Sequence, residues 1–212
     1  MKIPCANSMV FGHVCARPFS LRRGLIFSRF RVYFLTEPVF KKEGIVLSTA
    51  AERVTHVFAP VYDERSAVLV LGTMPSPVSR AQGFYYSHPQ NRFWPVMAAL
   101  FGEPRPQTPE EKTNFVLRHR IALWDTLAAC DITGAGDASI RKPEPNDLSR
   151  IFETASIRAV FTTGAAAHGF YQKYQAAKYP VPEFCLPSTS PANAKISLAG
   201  LIESYQKIRK YL

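Results

Sequence analysis

Apolar residues along the chain gather into short blocks separated by polar, Gly-rich and Pro-rich stretches, and the spacing inside each block predicts its element. Residues 67–71, Ala67-Val68-Leu69-Val70-Leu71, form a continuous apolar run that stops at Gly72. A strand buried on both faces of a parallel sheet has this pattern. Blocks at 121–124, 157–161 and 181–186 are of the same kind and predict further strands. Between them the apolar period changes to three and four. Phe93, Trp94, Met97, Leu100 and Phe101 mark one side of a helix over 91–101. Thr108 followed three residues later by Glu111, with Pro109 between, predicts a capping box and a helix running to about His119. Asn146 or Asp147 can cap a helix through Ala155, and small residues open a helix over 164–174. Leu198, Leu201, Ile202, Tyr205 and Ile208 fall at helical spacing in a closing helix over 197–212. The stretch 134–146, rich in Gly, Pro and charge, reads as a surface loop, Tyr171, Lys173 and Tyr174 as a solvated helix face, and His168 as a structural residue. Strand alternating with helix predicts the α/β class: a three-layer sandwich around a mainly parallel central sheet, with ligands gathering at the carboxyl ends of the strands.

With 212 residues, 47% of them hydrophobic and 20% charged, the chain can bury one substantial core, and disorder throughout is excluded. Its longest uncharged stretches fall short of the roughly 20 apolar residues of a membrane-spanning helix, so an integral membrane protein is not expected. The formal net charge of +10 invites a polyanionic partner. Its distribution weakens that inference. Residues 1–50 hold eight Lys and Arg against two Glu, a surplus of six that leaves only four for the rest of the chain. This Arg-rich, acid-poor stretch is expected to be a dispensable extension, either a transit peptide or translated upstream sequence, and residues 51–212 to be the folded domain. The protein is expected in the cytoplasm with the nucleoid, or in an organelle if the extension is a targeting signal. Cys5, Cys15, Cys130 and Cys185 form no Cys-x-x-Cys pair and have no His at zinc-ligand spacing, so free thiols are expected, the latter two buried beside apolar neighbours.

Two loops follow predicted strands. The first, Gly72-Thr73-Met74-Pro75-Ser76, leads to Tyr85-Tyr86-Ser87-His88-Pro89-Gln90-Asn91-Arg92-Phe93-Trp94; the second is Leu186-Pro187-Ser188-Thr189-Ser190-Pro191-Ala192-Asn193. Gly, Pro, Ser and Asn give rigid turns with exposed amides and hydroxyls, suited to a phosphate or a polar heterocycle, and equally common in ordinary turns. Aromatic faces at Phe84, Tyr85 and Tyr86 beside the neutral amide of Asn91 suit a nucleobase. Asn91 can instead cap the helix that follows it, and a cap can also hold a water.

The stretch 72–94 resembles the first motif block of the uracil-DNA glycosylase superfamily, with His88-Pro89-x-Asn91-Arg92-Phe93-Trp94 as in its mismatch-specific uracil glycosylases. Met74 stands where that branch keeps a catalytic Asn and others an Asp. This replacement, together with Tyr85-Tyr86 and the loop 186–193, resembles the hypoxanthine-DNA glycosylase branch. The resemblance spans roughly 53–212. It implies a monofunctional glycosylase acting in base excision repair on DNA that contains a deaminated base, hypoxanthine before uracil, with no cofactor, no metal and a monomeric state. The alternatives are a mismatch-specific uracil glycosylase and a catalytically idle α/β module that binds nucleic acid. In the implied site Asn91 is catalytic and orients a water. Gly72, Thr73, Met74, Pro75 and Ser76 surround the base, and Tyr86 stacks on it. Ser188, Ser190, Pro191, Asn193 and Lys195 face the DNA backbone and the vacated stack. Ser188 occupies a position where many members keep a His, which implies weak uracil cleavage. A strand-cleaving lyase would need a Schiff-base Lys, and neither motif block contains one.

Overall fold

The computed structural model describes residues 51–212; the extension 1–50, with Cys5 and Cys15, lies outside the described residues. In chain order the elements are β1 (Glu52–Thr55), β2 (Val68–Gly72), α1 (Pro77–Gln82), α2 (Phe93–Phe101), α3 (Pro109–Arg118), β3 (Ile121–Asp125), β4 (Leu127–Ile132), β5 (Arg141–Pro145), α4 (Ser149–Thr154), β6 (Ala159–Thr163), α5 (Ala165–Tyr174), β7 (Glu183–Leu186) and α6 (Leu198–Tyr205). The apolar runs form a parallel sheet of order β3-β2-β6-β7. Every residue of β2, β3 and β6 is buried, as continuous apolar sequence requires of strands covered on both faces. Helix α3 packs on β3, α5 on β6, and α2 on α6. Trp94, Phe93, Phe115 and Phe161 are among the largest fully buried side chains of this core. The capping box forms as expected: the Thr108 hydroxyl accepts the Glu111 N–H at 3.1 Å, and the Glu111 carboxylate accepts the Thr108 N–H at 3.2 Å.

Strand register fixes where the loops emerge. Gly72 pairs with Asp125 and Leu71 with both Trp124 and Thr162, so β2, β3 and β6 end side by side. Leu186 at the end of β7 pairs with Thr163. The loops after β2 and after β7 therefore leave the same edge of the sheet.

The structure also departs from the pattern-based expectations. A second, antiparallel sheet of order β1-β4-β5 is present, and β5 lies inside the stretch expected to be a surface loop. Its sequence, Arg-Lys-Pro-Glu-Pro, is largely exposed and carries no apolar signal; backbone pairing to β4 makes it a strand. Asn146 is no cap but a buried clamp, its amide donating to the carbonyls of Asp125 and Leu127 at 2.9 and 3.0 Å. Asp147 accepts the Ser149 N–H at 3.1 Å instead. Tyr171, read as solvated, is fully buried and packs in the main core, whereas Lys173 is exposed. Cys130 is buried as expected and Cys185 is exposed. His168 contacts Glu183 at 3.0 Å across the α5–β7 packing, a structural ion pair when the ring is protonated. The closing helix tightens after Tyr205 into a 3-10 turn over Gln206–Tyr211. Among the described residues no helix is long and apolar enough to cross a membrane.

Candidate active site

Where the two loops meet there is a cavity of about 140 Å³. Gly72, Thr73, Met74, Pro75 and Ser76 line it from the first loop, Tyr86 and Asn91 from the segment that follows, and Ser188 and Ser190 from the second loop. Sequence reasoning named all nine. Pro191, Asn193 and Lys195 do not line it.

The first loop is pinned by its neighbours: the Gly72 and Thr73 carbonyls accept the N–H groups of Thr126 and Leu127 at 2.9 and 3.2 Å. Ser76 caps α1, its hydroxyl accepting the Ser79 N–H at 3.2 Å. Met74 packs against the small second core of Val54, Leu127, Cys130, Ile132 and Ile140, so it presents an adaptable apolar wall. Tyr86 sits in the left-handed region at φ 52°. One face of its ring is stacked on Phe93, with centroids 3.9 Å apart, and its hydroxyl lies 3.2 Å from the Thr163 hydroxyl. A base entering the cavity can meet only the part of the ring that Phe93 leaves open.

The N-cap of α2 is Arg92, without a side-chain cap, and Asn91 satisfies the helix start from one residue earlier, its Oδ1 accepting the Phe93 N–H at 2.9 Å. That contact fixes the amide and leaves the oxygen a second lone pair. Arg92, next in sequence, ties the loops together. Its N–H donates to the Thr189 carbonyl at 3.0 Å, and its guanidinium donates to the carbonyls of Ser190 at 3.3 Å, Asn193 at 2.6 Å and Ile196. Asn193 therefore serves the loop's shape: its carbonyl takes Arg92 and its amide donates to the Ser188 carbonyl at 2.8 Å. Lys195 and Pro191 are exposed outside the cavity. The hydroxyls of Ser188 and Ser190 each accept a backbone N–H within the loop, from Ser190 and Ala192, and keep their own O–H to donate.

Among the residues of the site that escaped sequence reasoning, three are ionisable: Asp125, His56 and Asp137. Asp125 lines the cavity at the end of β3, and its Oδ2 lies 2.8 Å from Nε2 of His56, both side chains buried. The only sign of Asp125 was a carboxylate placed one residue beyond an apolar strand block; His56 gave none. Asp137 lines the cavity from the β4–β5 connection, the stretch read as a surface loop, and accepts the Thr73 hydroxyl at 3.0 Å. Burial and the charge of Asp125 raise the Asp137 pKa, against the lowering effect of Thr73. The same two causes push the hydroxyls of Tyr85 and Tyr86 far up. The pocket thus holds a negative focus on a chain that is basic overall. Among the described residues no group of three or more His, Cys, Asp or Glu side chains is placed to hold a metal ion.

Comparison with known proteins identifies the family. Residues 59–210 match the family model of the uracil DNA glycosylase superfamily. A hypoxanthine DNA glycosylase of Methanosarcina acetivorans is 33% identical over 142 residues, covering 66% of this chain and 89% of its own. A protein of the same name from Methanosarcina barkeri is 30% identical over 155 residues, covering 71% and 97%. The fold is similar to the solution NMR structure of a Methanosarcina acetivorans protein provisionally described as a uracil DNA glycosylase, with a TM-score of 0.62 and 29% identity over 73% of this chain and 98% of that one. Over residues 59–210, this chain belongs to the uracil DNA glycosylase superfamily.

Proposed function

We propose that the protein is a monofunctional DNA glycosylase that hydrolyses the N-glycosidic bond of a deaminated base, hypoxanthine before uracil, in base excision repair. The observation that carries the reading is one cavity in which the fixed amide of Asn91, the ring of Tyr86 and the apolar wall of Met74 meet, with the Ser188 and Ser190 hydroxyls at the same site. The names of the two Methanosarcina relatives support the choice of base.

The reaction breaks the bond between C1′ and the base nitrogen, the electron pair leaving with the base and positive charge developing on the sugar. A water then attacks C1′ and loses a proton to solvent. Asn91 aims that water through the lone pair that Phe93 does not use; an amide is too weak a base to deprotonate it. Backbone N–H groups of Thr73, Met74 and Ser76, Pro75 having none, can meet the charge that develops on the departing base. Hypoxanthine spreads that charge over two fused rings and so depends less on a side-chain donor, which suits a loop with Ser188 where uracil-directed relatives keep a His. Ser188 and Ser190 donate to the phosphates flanking the extruded nucleotide.

The test is product analysis with the full chain on matched duplexes containing deoxyinosine, deoxyuridine or deoxyxanthosine, followed by alkaline cleavage of abasic sites. Free hypoxanthine with an intact abasic strand, formed faster than free uracil, is the expected result. Faster uracil release would make it a uracil glycosylase, a nick before alkali a lyase, and no release a binding module.

A further inference from the structure

We propose that Asp125 reads the extruded base through one carboxylate oxygen, and that His56, by occupying the other, keeps the site from accepting guanine. The inference rests on the glycosylase reading above and specifies how its pocket tells a deaminated purine from normal ones.

His56 and Asp125 form a buried pair, their side chains 5% and 7% exposed, with Nε2 2.8 Å from Oδ2. The residue is held in place: its backbone N–H donates to the Ala128 carbonyl at 2.7 Å, and Phe58 packs edge-on to its ring at 4.9 Å between centroids. Oδ1 is different. It lies against Gly72, where a Cβ would come within 2.2 Å of it, and it has no hydrogen-bond partner among the described residues. Asp125 lines the cavity, so Oδ1 is an unpaired acceptor open to a donor carried by the ligand.

Hypoxanthine carries that donor as its ring N1–H, adjacent to a carbonyl. Adenine presents a lone pair at N1, which a carboxylate repels. Guanine has N1–H and a neighbouring exocyclic amine, a pair that matches a carboxylate with both oxygens free. Each carboxylate oxygen keeps a second lone pair, but with the His56 ring against Oδ2 the side-by-side edge of two acceptors that guanine needs is no longer open, and its amine enters the pocket poorly partnered, a costly state for a desolvated donor. Uracil and xanthine also offer a ring N–H to a single acceptor. Among purines the pair therefore admits the deaminated bases and rejects adenine by lone-pair repulsion and guanine by a blocked acceptor edge; it does not by itself tell uracil from thymine. His56 precedes the residues 59–210 matched by the family model, so this selectivity depends on a segment outside that match.

The experiment measures single-turnover base release by the full chain from one duplex carrying deoxyinosine, deoxynebularine or deoxyguanosine at the same position. Deoxynebularine keeps the purine rings but has no N1–H. Ratios of rates are taken within each variant, so a reduced folded fraction cancels; Asp125→Ser stands in if Asp125→Ala does not fold. Wild type should favour inosine over nebularine, and Asp125→Ala should lower that ratio by about tenfold or more. His56→Ala should raise guanine release relative to hypoxanthine by a similar factor, while His56→Gln, whose amide can still donate to Oδ2, should keep the wild-type ratio. An active wild type with the first ratio unchanged in Asp125→Ala, or the second unchanged in His56→Ala, overturns this inference alone. A wild type that releases no base from inosine fails the functional reading itself.

Discussion

At Gly72 a missing side chain shapes the pocket. A Cβ there would lie 2.2 Å from Oδ1 of Asp125, a buried carboxylate that His56 prevents from swinging away. Gly72→Ala should therefore lose about 1–3 kcal/mol of stability through overpacking and lose base release beyond the unfolded fraction; an unchanged melting temperature would show that the carboxylate can move. Tyr86 is placed by its stack on Phe93 and its contact with Thr163. Tyr86→Phe forfeits one hydroxyl contact, about 1 kcal/mol, and should keep base release within severalfold. Tyr86→Ala should weaken productive binding by the 1–3 kcal/mol or so of a base–aromatic stack. Melting curves beside single-turnover rates separate that from packing, since a purely thermal effect would leave the folded fraction fully active. Asn91, Tyr86 and the loop 72–76 were legible because their residue types fit a nucleobase and sit in a recognisable motif. His56 was not, because its role depends on the β1–β4 pairing, which brings it to Asp125 from 69 residues away in sequence.

Among the elements, β2, β3 and β6 were readable from apolar runs, since burial on both faces leaves no polar alternation to blur them, whereas β7 at the sheet edge is partly exposed. Their ends moved by a residue or two, as at β6, which covers Ala159–Thr163 rather than 157–161. The second sheet was not readable: β5 has two prolines, exposed charges and a strand identity that comes wholly from its partner. That sheet backs Met74, which the sequence had marked, and the β4–β5 connection carries Asp137, a cavity carboxylate from an unmarked stretch. Arg92 acts at this scale too, by holding the segment between β7 and α6 through three carbonyls. Arg92→Ala should release that segment and lower base release by about tenfold or more, because hydrogen bonds from a charged donor contribute roughly 1.5–3 kcal/mol each. Arg92→Lys should rescue little, since an ammonium cannot span three carbonyls as a planar fork does. The check is single-turnover rate against protease sensitivity near Ser190; normal turnover with a newly cleavable loop would mean that its ordering is not needed for catalysis.

For the whole molecule, charge and chemistry are divided unevenly along the chain. Residues 1–50 carry six of the ten surplus positive charges, and the two loop motifs and all the named site residues lie beyond them. A chain starting at Ala51 is expected to fold and to keep its choice of base, with a shallower salt dependence of DNA binding as phosphate contacts are lost. Binding titrations at several salt concentrations, set beside base release, check this; a truncated chain that binds duplex but releases nothing would place the extension in the active site. The family was legible from the spacing of the two loops, whereas the negative focus inside a basic protein was not, because it arises only when β2, β3 and the β4–β5 connection come together. The central claim, that Asn91 orients the attacking water, is tested most directly by single-turnover release of hypoxanthine from a deoxyinosine duplex by wild type and Asn91→Ala at matched folded concentration. Losing the helix-start bond costs about 1 kcal/mol of stability and leaves folded molecules active, whereas losing the water's anchor costs about two orders of magnitude or more in rate. The account predicts that larger fall with duplex binding preserved. Near wild-type release by folded Asn91→Ala would contradict it.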